Sequence, residues 1–106
     1  MKFGIYVLRD EDGRGDKPFT QVNDILACRG VYSLFKSMGR FTKLDLLKLG
    51  EYDNVKNTVV GLENPVVIDY DLVLYNDSLE HPDEYKGFDI KVPDSVVQNS
   101  LDEESK

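Results

Sequence analysis

The chain has 106 residues, 41% of them hydrophobic and 31% charged, which is the composition of one globular domain rather than of a disordered segment. Its net charge of -7 disfavours loose adhesion to a nucleic-acid backbone or an anionic membrane, and no apolar run approaches the roughly 20 residues that span a bilayer. A single cysteine, Cys28, excludes an internal disulfide.

The N-terminus begins apolar but meets Arg9-Asp10-Glu11-Asp12 at once, too early for an export signal. Phe3, Ile5 and Val7 alternate with Lys2, Tyr6 and Leu8, and this period of two predicts a strand over 2–9. Asp10 to Lys17, with Gly13 and Gly15, reads as a flexible, hairpin-like loop. Asn23 or Asp24 can cap the helix that follows. Ala27, Val31, Leu34, Phe35 and Met38 then mark one face of an amphipathic helix, with Gly39 as its stop.

The stretch from Leu44 to Asp53 fits a helical turn or a strand. Asn54 to Asn57 reads as a turn, Thr58 to Leu62 as the returning arm of a hairpin, and Asn64-Pro65 as its end. Val66 to Tyr75 is the stretch richest in strand formers. Asn76 to Lys86 reads as turn, Phe88 to Val92 as a last edge strand, and 94–106 as a polar, acidic tail. The expectation is a single α+β domain over 1–93: a mostly antiparallel sheet with one amphipathic helix on one face.

Charge is unevenly spread. Residues 1–40 hold seven Lys/Arg against five Asp/Glu, a net of +2, and residues 41–106 hold six against fifteen, a net of -9. An anion-binding surface belongs in the first part, and a basic partner would meet the second.

No motif argues for catalysis, and neither a cofactor nor a metal is expected. Asp10 to Asp16 fails as a calcium loop, because Arg14 stands where an oxygen ligand is needed and Gln21 stands at the closing position. It also lacks the Lys-Ser/Thr ending of a phosphate loop, and Arg14-Gly15-Asp16 is a tripeptide common by chance. His81 has no second His or Cys near it, which favours a surface turn over a metal ligand. Cys28 reads as a small buried apolar residue. Asp69, Asp71, Asp89 and Lys91 echo the acid-and-lysine core of metal-dependent nucleases, but solvent-facing acids explain them more simply. Six Tyr and five Phe could stack on bases, although core filling is favoured.

One ordered string resembles a known family. Tyr6-Val7-Leu8-Arg9-Asp10, then Pro18-Phe19, then Asn23-Asp24 with Ala27 and Arg29, then Leu47-Lys48-Leu49-Gly50-Glu51-Tyr52-Asp53 resemble the small nonstructural protein of gokushovirus-type microviruses. These are bacteriophages with single-stranded DNA genomes. The likeness covers roughly residues 3–70 and leaves 71–106 unaccounted for. It implies a noncatalytic accessory protein in the host cytoplasm that assists viral single-stranded DNA synthesis or packaging, through DNA or through replication proteins. Charge, not the family, supplies the candidate DNA contacts: Arg9, Arg14, Lys17, Arg29, Lys36 and Arg40. The alternative is an acidic, DNA-mimicking module that binds a basic viral or host protein. Pairing of an exposed strand edge with a second copy would make a homodimer.

Overall fold

The computed structural model describes residues 1–38 and 43–93. Gly39, Arg40 and the 94–106 tail, to which the sequence assigns a helix stop, a DNA contact and a solvated end, lie outside the described residues. The chain falls into two compact units, Met1–Tyr70 and Asp71–Lys106. The fold class is α+β, as the patterning predicts.

In the first unit, β1 (Lys2–Arg9), β2 (Phe19–Gln21), β3 (Asp45–Asp53) and β4 (Thr58–Ile68) form one antiparallel sheet in the order β2-β1-β3-β4. The helix α1 (Asp24–Met38) lies between β2 and β3 in the chain. Leu44–Asp53, open between helix and strand in the sequence, is strand from Asp45 onward. β2 is an addition to the sequence reading, too short to show a period. It forms because the 10–16 turn carries the chain back along β1, pairing Tyr6 with Phe19 and Ile5 with Thr20.

Asn23 caps α1, its Oδ1 accepting from the Leu26 N–H at 2.9 Å. The buried face is Ala27, Cys28, Val31, Tyr32 and Phe35. This corrects the stripe predicted from sequence, which included Met38. Met38 is 67% exposed, because the packed face follows the i, i+4, i+8 line from Ala27. Tyr32, Phe35 and Tyr70 form an aromatic cluster with ring centroids 5.7–6.4 Å apart, and the Tyr70 hydroxyl donates to the Leu44 carbonyl at 2.8 Å.

Two irregularities shape the sheet. Leu49 is an extra residue relative to β1, since Ile5 pairs with Gly50 and Tyr6 with Lys48. On the other side, residues 62–65 lie opposite Leu49 alone, since Gly50 pairs with Gly61 and Lys48 with Val66. Pro65 sits in that bulge, where a missing N–H costs the ladder nothing. Asn64-Pro65 therefore kinks β4 and does not end it. At Gly50 a Cβ would overlap the Val60 carbonyl oxygen, so β3 and β4 approach each other on glycine.

The second unit begins with most of a helix, α2 (Tyr70–Glu80), which also corrects the sequence reading. Val66 to Tyr75 is rich in strand formers, but only its first part stays in the sheet. Asp69 and Asp71 flank the helix start, where negative charge suits the dipole, and Leu74 is fully buried one turn after Tyr70. A 3-10 turn, Pro82–Tyr85, follows. Phe88–Val92 is irregular, not an edge strand. Tyr85 is buried, contacts Phe88 edge-on at 5.5 Å, and donates its hydroxyl to Asp77. No helix among the described residues is long and apolar enough to cross a membrane.

Candidate binding surfaces

The basic residues singled out from sequence do not share one environment. Arg9 ends β1 and is ion-paired with Asp45 at 2.8 Å, so its charge is largely answered within the sheet. Arg14 and Lys17 are exposed on the turn between β1 and β2. That turn is hairpin-like, as predicted, but local hydrogen bonds brace it where the sequence suggests a flexible loop. The Asp10 Oδ1 accepts from the Asp12 N–H at 3.0 Å and from the Arg14 N–H at 2.9 Å, and Gly13 takes φ +82°. Arg29 is half-buried on α1, and Lys36 is exposed in its last turn. Arg40 lies outside the described residues.

Tyr6, Asp24, Lys48 and Glu51 meet where α1 starts on the sheet. The Tyr6 hydroxyl donates to Asp24 Oδ1 at 2.6 Å, and Lys48 Nζ lies 3.4 Å from the same oxygen and 3.9 Å from Glu51. Burial, then the hydrogen bond to Asp24 and its charge, push the Tyr6 hydroxyl well above the ordinary tyrosine value. A tyrosine held neutral at 0% exposure ties helix to sheet and offers no base or nucleophile to a substrate.

The nuclease-like acids are dispersed over different local structures. Asp69 stands between β4 and α2, Asp71 is in α2, and Asp89 and Lys91 lie in the irregular segment. Among the described residues, the one carboxylate and imidazole group compact enough for a metal is Asp77, Glu80 and His81, whose ligand atoms lie within 4.8 Å of one another. Sequence reasoning missed it because α2 was read as strand and turn. As a helix, the i, i+3, i+4 spacing puts the three on one side.

The charge division sharpens on the folded units. Residues 1–70 hold ten Lys/Arg and ten Asp/Glu. Residues 71–106 hold three Lys and ten Asp/Glu, so the second unit carries the whole net charge of -7. Glu80, Asp83, Glu84 and Asp89 are exposed there, and Lys86 reaches Asp83 only at 3.8 Å in open solvent.

β4 offers a different surface. It is an outer strand of the sheet, and Val59, Val60, Leu62, Val66 and Val67 are 64%, 68%, 41%, 51% and 58% exposed. No family model, curated protein or solved structure matches the chain.

Proposed function

We propose that this chain is a noncatalytic accessory protein of a small single-stranded DNA phage. It acts by holding a basic replication or packaging protein on its acidic second unit. The observation that carries this reading is the partition of charge: a neutral sheet-and-helix unit joined to a 36-residue unit of net charge -7. Long-range attraction of that kind speeds encounter with a cationic partner and repels a phosphate backbone. The resemblance of residues 3–70 to the gokushovirus-type nonstructural protein supports the setting.

A second reading, direct DNA binding, draws on Arg14, Lys17 and Lys36, which are exposed on the first unit. Fluorescence anisotropy with two labelled probes, an arginine-rich peptide and a single-stranded oligonucleotide, separates the two across a salt series. Peptide binding that weakens with salt, and falls at least tenfold when Glu80, Asp83, Glu84 and Asp89 become amides, supports the acidic surface. Salt-sensitive oligonucleotide binding lost on Arg14→Ala, Lys17→Ala and Lys36→Ala replaces it with the second reading. Binding of neither probe overturns both.

A further inference from the structure

Strand β4 is an unguarded edge. The sheet's other outer strand, β2, has three residues, and short edges resist further pairing. β4 has eleven and carries one charge, Glu63. Its protective devices, Glu63, Pro65 and the bulge over 62–65, all lie toward its C-terminal half. From Thr58 to Gly61, ahead of the bulge, the strand carries neither a charge nor a proline to block a further strand. Val59 and Val60 are exposed there on opposite faces of the sheet, Val59 beside Tyr52 and Val60 beside Glu51. None of the turn and loop backbone hydrogen bonds among the described residues reaches this stretch.

We infer that this edge pairs with the same edge of a second copy, antiparallel and about a two-fold axis through Val60. Opposed residues in an antiparallel pair share a face, and side chains alternate faces, so a self-pairing register must centre on a residue and not between two. The stretch between the 54–57 turn and the bulge centres on Val59 and Val60; an axis through Val59 would set Asn57 of the turn opposite Gly61, whereas one through Val60 needs only Leu62, the first residue of the bulge, opposite Thr58. In that register Val60 faces the second copy's Val60, Thr58 faces its Leu62, and Val59 faces its Gly61. Glu63 falls opposite Asn57 and never opposite another Glu63.

The uncharged edge is matched by a second copy of itself. Between Thr58 and Leu62 the edge has no charge to answer a basic or acidic partner, whereas its own copy is equally uncharged and aliphatic. The first unit has ten charges of each sign, so the paired sheets themselves add no net repulsion to that of the two acidic second units. An axis normal to the sheet joins the two sheets into one of eight strands, with both α1 helices on the same face. This inference is independent of what the acidic unit binds.

Sedimentation velocity on the full chain tests it, with Val60→Lys and Val60→Cys as variants. The expected result is a wild-type dimer in the micromolar range and a Val60→Lys monomer that keeps its circular dichroism spectrum. Like charges would face each other at the axis, raising the dissociation constant at least tenfold. Val60→Cys is close to isosteric and places two thiols at the axis. Mild oxidation should link it as a dimer, while Val67→Cys, beyond the bulge, links far less and buried Cys28 stays free. A wild-type chain that is monomeric at every concentration overturns the inference. A dimer that survives Val60→Lys, or that Val60→Cys fails to link, overturns it too.

Discussion

The Tyr6 hydroxyl, on a side chain with no exposed surface, donates to Asp24 Oδ1 at 2.6 Å and so fixes the first turn of α1 to the middle of β1. Lys48, from the adjacent strand, reaches the same carboxylate oxygen at 3.4 Å. One acid in the helix's first turn is thus held by two strands. Tyr6→Phe keeps the ring and removes the donor, while Lys48 continues to answer the charge. Chemical denaturation should show a loss of about 1 kcal/mol, and the α1 amides should lose protection from hydrogen exchange before those of β3.

The same hydroxyl sets an alkaline limit. Burial first, and then the hydrogen bond and charge of Asp24, raise Tyr6 above the ordinary value of 10.0. In the unfolded chain Tyr6 gives up its proton near that value, while the folded protein keeps it. The contribution is therefore complete below pH 10 and is lost as pH rises through the folded value. Thermal melts should show stability falling above pH 10, with a shallower fall in Tyr6→Phe. A variant as alkali-sensitive as the wild type would move the cause elsewhere.

Asp53 acts at the acid end. Its carboxylate accepts from the Lys56 and Val55 N–H groups at 3.2 and 2.9 Å, and these bonds, in that order of weight, lower it below the usual 3.8. Its contribution is present above the unfolded value and lost as pH falls through the folded one. Asp53→Asn should weaken the 54–57 turn at neutral pH and lessen the acid sensitivity. The measurement is the pH dependence of amide exchange at Val55 and Lys56.

The contrast between two facing glycines gives a further prediction. A Cβ at Gly50 would overlap the Val60 carbonyl oxygen, a backbone atom that cannot swing aside, whereas a Cβ at Gly61 meets nothing within 4 Å. Gly50→Ala should cost about 3 kcal/mol, the upper part of the usual range for overpacking. Gly61→Ala should be nearly neutral. Equal denaturation midpoints for the two variants would contradict this account of the β3–β4 approach.

Legibility in the sequence followed the length and purity of each period. β1 is rich in strand formers over eight residues, and α1 has a cap residue and a repeated apolar spacing, so both were readable as elements; the buried face of β1 was not, because Tyr6 and Val7 are buried in succession while Phe3 and Ile5 are half-buried. The Met38 error arose because a stripe through Leu34 and Met38 is as apolar as the one actually packed. α2 was hidden because Val66 to Tyr75 is rich in strand formers on both sides of Asp69 and Asp71. Asp69, just before Tyr70, is the local signal of a helix start, and the burial of Leu74 one turn later accompanies it. The charge division was visible in the sequence, but its boundary at residue 70 needed the units. The free edge of β4 was not visible, because Asn64-Pro65 reads as a strand end until the bulge is seen to absorb the proline.

The second unit is small, and one buried hydroxyl has a large share in it. Tyr85 follows α2 by way of Pro82, which opens the 3-10 turn, and its hydroxyl donates to Asp77 in the last turn of α2. The His81 N–H donates to the Asp77 carbonyl at 2.8 Å, so one residue anchors both the helix end and the returning turn. Tyr85→Phe keeps the ring against Phe88 and removes the donor to a carboxylate, a change worth about 1–3 kcal/mol at a part-buried site. Because the first unit has its own sheet and helix, the loss should appear as faster amide exchange across 74–85 with little change in β1 and β3. Uniform acceleration through both units would mean that they open as one.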